Sequence, residues 1–295
     1  MSVRTLIEER TTATGAETRS QRAGRSWLAA LRRGPGVAGL ILLGVVVLLG
    51  AAAPLLSSYG VNDQLPNANL LPPSWAHPLG TDQVNRDVWT RTLYGIRADL
   101  AIIFVAVPIG ATLGSLAALA GTVWSGVDVG LQRLFDLLLA FPTLIFAIGL
   151  TAVTGPGAAT VIIVITVVET PIFARMLRSS ILTVRSLPYV DAAETVGTGR
   201  IRVLRRHVLP NAVEPVGVQF AISLSLAVFV ESAMSFLGIG IRPPAPSLGS
   251  LISDGISYVD SNLGFVVGPL LVVVILVLAL QLLARALGQT RRSRR

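Results

Sequence analysis

The side chains available for chemistry are few, and the missing types narrow the options. All 24 basic residues of the 295 are arginine, cysteine is absent, and His77 and His207 are the two histidines. Without lysine there is no P-loop lysine, no Schiff base and no kinase-type nucleotide clamp. Without cysteine there is neither a thiolate metal site nor a disulfide framework. Two histidines far apart in sequence make neither a metal centre nor a nucleophile–base triad, and no metal-binding residue is assigned. What remains are acids and arginines set in apolar sequence. Glu169 and Glu231 fall within long apolar runs, and Ser232 and Ser235 follow Glu231. A charge there is costly unless it faces a partner or a water-filled cavity. These groups could line a hydrophilic path that meets the amino group or backbone of a solute. They could instead be structural, with Glu231 bonded to a helix end and Glu169 paired with Arg175 or another chain. Asp82, Arg86 and Asp87 form a second charged set, either a gate at the mouth of such a path or part of an amphipathic linker.

The elements that must position these residues are membrane helices. The chain is 52% hydrophobic and 14% charged, with a mean hydropathy of +0.70, well away from soluble proteins. Apolar runs long enough to span a bilayer predict six transmembrane helices and an all-α integral membrane protein. The expected organisation is a flexible arginine-rich tail (1–35), a first transmembrane helix (36–57), an outer segment (58–96), a core of five further spans (97–287) and a basic tail (288–295). Ala51-Ala52-Ala53 mimics a cleavage site, but the preceding charged region is too long for a signal peptide, so the first helix is expected to stay. In the outer segment, Val84, Val88, Trp89, Leu93 and Ile96 predict an interfacial helix with Trp89 at headgroup depth. Gly110, Gly114 and Ala118 form a small-residue stripe for close helix packing. Pro108 predicts a kink, and Phe141-Pro142 falls in the middle of the third span.

Six spans put both tails and the 179–211 loop on one side, and that side holds 20 of the 24 arginines. The positive-inside rule then makes both termini and the loop cytoplasmic. The basic charge is therefore accounted for by topology. Nucleic acid is not an expected partner, whereas anionic membrane lipid near the tails is.

Within that loop, Pro188 to Asn211 predicts two short helices around Gly197. Tyr189, Ala192, Ala193 and Val196 repeat on one face of the first. Ile201, Leu204 and Val208 do so on the second, until Pro210 ends the pattern. Such an element suits docking to a partner. Asp191-Ala192-Ala193, Gly197 and His207-Val208-Leu209-Pro210 together resemble the EAA signature of ABC-importer permeases. Asp191 stands where glutamate is usual, and His207 where an aliphatic residue is. Two further segments are similar to the C-type permeases of dipeptide and oligopeptide importers. One runs from His77 through Asp82, Arg86-Asp87 and Leu93-Tyr94-Gly95. The other is Glu231-Ser232-Ala233-Met234-Ser235-Phe236-Leu237-Gly238 with Pro243-Pro244 and Pro246-Ser247-Leu248-Gly249.

The resemblance implies an ABC type I importer permease fold in a bacterial inner membrane, moving di- or oligopeptides into the cytoplasm. It implies that Tyr189, Asp191, Ala192, Ala193, Glu194, Gly197, Leu209 and Pro210 couple the chain to its ATPase. The chain would be a non-catalytic subunit without a cofactor of its own, with ATP and Mg bound by two partner ATPase domains. A second homologous permease subunit and an extracytoplasmic solute-binding protein complete the implied assembly. The same motifs also suit importers of nickel, glutathione or another small solute. A reading from a different class is an ATP-independent channel or membrane scaffold.

Overall fold

The computed structural model describes residues 34–197 and 199–292, without the side chains of Glu194, Arg200 and residues 290–292. Most of the expected N-terminal tail and the end of the C-terminal tail therefore lie outside the described residues. In chain order the helices are α1 (Gly34–Ala51), α2 (Ala53–Leu56), α3 (Val88–Val123), α4 (Ser125–Ala140), α5 (Thr143–Thr154) and α6 (Ala158–Arg185). Three short helices follow, α7 (Pro188–Thr195), α8 (Arg200–Val203) and α9 (Leu209–Ala212), with a π-helical turn at Leu204–Val208. The last three are α10 (Glu214–Phe236), α11 (Leu248–Gly255) and α12 (Gly264–Arg292).

Helices α1, α3, α6, α10 and α12 are each long and apolar enough to cross a membrane. The expected third span is not one straight helix. It is the pair α4 and α5, bent by 92°, and the chain has six spans if the pair counts as one. Phe141 and Pro142 are both in extended backbone at the break. The physical reason is local, because a proline disfavours helical backbone in the residue before it and donates no hydrogen bond. Pro108, by contrast, sits inside the continuous α3.

The expected interfacial helix is corrected as well. Residues from Val88 onward are the first turns of α3 itself, and Asp87 caps that helix by accepting the Thr90 N–H at 2.7 Å. Val88, Leu93 and Ile96 are fully buried and Trp89 packs against the main core. Their apolar face packs against neighbouring helices of the bundle. Val84 lies in the turn before the helix.

Helices α3 and α6 form the most extensive pair, along the stripe of Gly110, Gly114 and Ala118 predicted for packing. A side chain on Gly110 would come within 2.8 Å of the Glu169 Cβ. Helix α1 lies on α12, where Gly39 faces Ala279 and Leu283. Gly288 near the end of α12 approaches Val218 near the start of α10. The start of α1, the end of α12 and the root of the 186–213 loop thus share one end of the bundle, as an even number of spans requires.

Candidate functional site

The loop is built on its own small core. Val190, Val203, Val208 and Ala212 pack with Leu177, Ile181 and Val184 of α6 and with Ala118 of α3. Valines separated along the sequence therefore anchor the short helices to the roots of two spans. The stripe expected on α7 faces mostly outward. Tyr189 is 43% exposed and Val196 is 85% exposed. Ala192 and Asp191 are exposed, and Ala193 is half-buried. The inward residue is Val190. Gly197 turns the chain at φ +84°, a region favourable to glycine.

The second helix also differs from its expected form. It runs as one α-helical turn, one π turn and a further α-helical turn. Leu209 donates its N–H to the Leu204 carbonyl, five residues back. A ring at position 210 would clash with a carbonyl four residues earlier in a regular helix, and the wider turn relieves it. Pro210 therefore opens the next turn and does not end the pattern. The widening brings Val203 and Val208 to the inner side and leaves Ile201 74% exposed. Asn211, which the sequence reading did not single out, ties the two halves together. Its Nδ2 donates to the His207 carbonyl at 2.7 Å and to the Tyr189 hydroxyl at 3.3 Å. Leu209 packs against the loop core and Pro210 is exposed.

Two ion pairs join α6, which leads straight into the loop, to α4 of the broken span. Arg178 makes a two-point pair with Asp128 at 2.7 and 2.6 Å. Arg175 meets Asp136 at 2.6 Å. Arg175 therefore pairs with Asp136 and not with Glu169. Reversing one charge of the first pair, Asp128→Arg or Arg178→Asp, is expected to destabilise the chain by about 1–2 kcal/mol, the pair being partly exposed to water. The combined exchange is expected to recover most of that loss. Thermal unfolding of the purified protein measures both, and a double exchange no better than either single change would contradict the pairing.

Glu169 is buried between α6, α3 and α10. Its Oε2 accepts the Ser223 hydroxyl at 2.5 Å, and Gln219 Nε2 donates to the same Ser223 oxygen at 3.2 Å. Glu231 is fully buried and accepts the Ser235 hydroxyl at 2.8 Å, while Ser232 is nearly buried beside it. The sequence reading did not anticipate Ser223, because its partner Glu169 lies 54 residues away, nor Gln219, which bonds to Ser223.

At the opposite end of the bundle, Asp82, Arg86 and Asp87 are knotted into their own segment. Asp82 accepts the N–H groups of Val84 and Arg86 at 2.9 and 2.8 Å and the Arg86 Nε at 2.7 Å. Asp87 meets His77 Nδ1 at 2.9 Å while it caps α3, and Tyr59 stacks on the His77 ring. Arg91, buried and overlooked by sequence reasoning, donates to the carbonyls of Val61 at 3.1 Å and Pro244 at 3.3 Å. It thereby links the 57–87 segment to the 237–247 segment. Burial raises the Asp254 carboxyl above the usual range, and the nearby Arg91 and Arg86 partly offset this.

A bundle of apolar spans, one of them broken, carrying a loop of short helices on its own small core is the architecture of a multi-pass membrane protein. The comparisons place it more closely. Residues 110–293 match the model of the binding-protein-dependent transport system inner membrane component. Residues 23–73 match the N-terminal transmembrane domain of oligopeptide transport permease C. The chain belongs to this family of inner-membrane transport components. It is 34% identical over 255 residues to the dipeptide transport system permease protein DppC of Alkalihalophilus pseudofirmus, covering 85% of this chain and 83% of that one. It is 32% identical over 256 residues to DppC of Haemophilus influenzae, covering 84% and 87%. In fold it is similar to a chain of the MetNI methionine ABC transporter in inward-facing conformations, with a TM-score of 0.54 and 19% identity over 68% of this chain and 96% of that one.

Proposed function

We propose that the chain is one permease subunit of an ATP-driven importer that brings di- or oligopeptides across the inner membrane. The observation that carries the coupling is the loop. It presents Tyr189, Ala192, Val196 and Ile201 outward around the Gly197 turn, while Val190, Val203 and Val208 anchor it to α3 and α6. A small, apolar outward face on a rigid base suits a cleft in a partner, and a force applied there passes directly into α6. Asp191 and Glu194 sit on the same short helix, and Leu209 and Pro210 lead back towards α10. The arginine distribution favours a cytoplasmic position for this end and both termini.

ATP hydrolysis belongs to partner chains, two ATPase domains holding ATP and Mg, because this chain has no lysine for a phosphate loop. A second permease subunit supplies the other half of the path, and an external binding protein delivers the solute. The relatives named for dipeptide transport support peptides as that solute. Glu169, with Ser223 and Gln219, is our candidate for a polar lining. Glu231 and Ser235 are fastened within the chain, and Asp82, Arg86 and Asp87 hold the outer segment in shape.

The decisive experiment is to purify the tagged chain from its native membrane, identify what accompanies it, and reconstitute the assembly in proteoliposomes. ATP-dependent uptake of a labelled dipeptide that also needs the binding protein is the expected result. A chain that purifies alone as a stable homo-oligomer, or uptake indifferent to ATP, would overturn the proposal.

A further inference from the structure

Helix α12 changes character along one exposed face. Leu271, Val274 and Leu278 are exposed on it, followed on the same side by Gln281, Arg285 and Gln289, also exposed. Residues three or four apart share a helix face, so this face is apolar over its middle and polar over its last turns. Beside it, between α12 and α10, lies a cavity of about 380 Å³ lined by Ile222, Ser225, Leu226, Gln281, Ala284 and Arg285. Ser225 and Ala284, small and buried, make its floor, while Ile222 and Leu226 stand exposed on the α10 side.

The helices set the depth of this cavity in a bilayer. Gly39 faces Ala279 and Leu283, and at about 1.5 Å per residue from that contact Gly34, the first residue of α1, comes level with Arg285. From Gly264, where α12 begins, to Arg285 the rise is about 32 Å, close to the thickness of a hydrocarbon core. Arg285 therefore stands at the headgroup plane. On α10, Val218 is level with Gly288 and Ser225 with Val277, which puts Leu226 about two turns deeper than Arg285.

Arg285 makes no ion pair among the described residues. Nearby acids are turned elsewhere. Asp128 and Asp136 hold Arg178 and Arg175, and Glu214 faces Ser180 and Thr183 of α6. A guanidinium at this depth matches a phosphate, to which it donates two parallel N–H bonds, and the Gln281 amide adds a further donor. The apolar wall beneath suits a hydrocarbon chain. A zwitterionic lipid would leave the arginine charge uncompensated, whereas an anionic one neutralises it, and anionic lipids charge the cytoplasmic leaflet.

We propose that the α10–α12 groove binds one anionic diacylphospholipid of the inner leaflet, with its phosphate on Arg285 and Gln281 and an acyl chain along Ile222 and Leu226. Calling the leaflet the inner one rests on the topology proposed above. The groove and its charge are the same in either orientation, and the experiment reads lipid binding independently of transport.

The purified assembly in detergent is titrated with phosphatidylglycerol or phosphatidylcholine, and bound lipid is counted by native mass spectrometry. Wild type is expected to hold one phosphatidylglycerol about fivefold more tightly than phosphatidylcholine. Arg285→Gln should abolish that preference. Ile222→Trp, which fills the groove and keeps every arginine, should weaken phosphatidylglycerol binding as much. Undiminished binding by Ile222→Trp would mean diffuse attraction to the arginine-rich tails, and equal affinity for the two lipids would mean a non-specific contact. Either result overturns the site. The occupant is identified with a benzophenone attached at Leu226→Cys, in a chain free of native cysteine. Photolysis of the assembly in membranes should capture lipid, and capture of a neighbouring subunit instead would show a protein interface and refute the proposal.

Discussion

Gly114→Leu is expected to reduce folded protein in the membrane at least tenfold. A first side-chain carbon on Gly114 would press into the carbonyl oxygen of Thr170 and come within 2.9 Å of Ala174 N and Phe173 Cβ. Two of these are backbone atoms of α6, which cannot rotate away as a side chain does. The helices would have to separate, and α3 and α6 are the most extensively packed pair in the bundle. Overpacking costs about 1–3 kcal/mol and sometimes more. In a membrane, where close packing itself drives helix association, little else offsets that loss. The separation would also disturb Glu169, which rests against Gly110. Gly114→Ala should show an intermediate defect, because the first carbon already clashes. Quantitative immunoblotting with size-exclusion chromatography measures the effect, and a wild-type level of monodisperse Gly114→Leu protein would refute the packing argument.

Gly197→Val is expected to have the contrasting outcome, a normal level of protein and a deep loss of transport. A side-chain carbon at Gly197 meets nothing within 4 Å in this chain, so nothing nearby is overpacked. The backbone there is left-handed, which costs a β-branched residue about 1–3 kcal/mol. A strain of that size cannot unfold the loop core, but it can shift α7 relative to α8. Transport in proteoliposomes should fall about tenfold or more, while ATP hydrolysis continues and no longer follows solute. Gly197→Asn, which tolerates left-handed backbone, should retain more uptake than valine. Equal uptake by the valine variant and wild type would remove the Gly197 turn from the coupling path.

These two glycines illustrate how much of the site was legible beforehand. The spacing Gly110, Gly114, Ala118 on an apolar helix announces close packing, and the structure places α6 there. Gly197 announces a turn, and the structure puts its backbone in the left-handed region. The faces around the turn were less legible. A period of 3.6 residues ranked Ile201 with Leu204 and Val208, and the π turn changed that register, burying Val203 in place of Ile201. In the first short helix the apolar stripe was real, but Val190 alone turned inward fully. Amphipathic pattern identifies a face without telling whether its partner is the same chain or another.

The charged residues divide in the same way. The sequence singled out Glu169 and Glu231 as acids that needed a partner or cavity and Asp82, Arg86 and Asp87 as a gate or linker, and in the structure each of these is bonded within the chain. It did not name the partners, and Arg91 was given no role because the carbonyls it reaches, Val61 and Pro244, lie 30 and 153 residues away.

By itself the sequence determined the apolar spans, the end on which the arginines gather and the family signature of the loop. Each is a property of a short window, set by transfer from water to lipid, by backbone sterics or by motif spacing. Only the tertiary structure decided the break of the third span at Phe141-Pro142 with its 92° bend, the absorption of the predicted interfacial helix into α3, the pairing of Arg175 with Asp136, and the bond from the Leu248 N–H at the start of α11 to Asp99. Asp99 and Leu248, like Glu169 and Ser223, are far apart along the chain. Their hydrogen bonds exist because packed helices bring them together away from water, where a polar group left without a partner is costly.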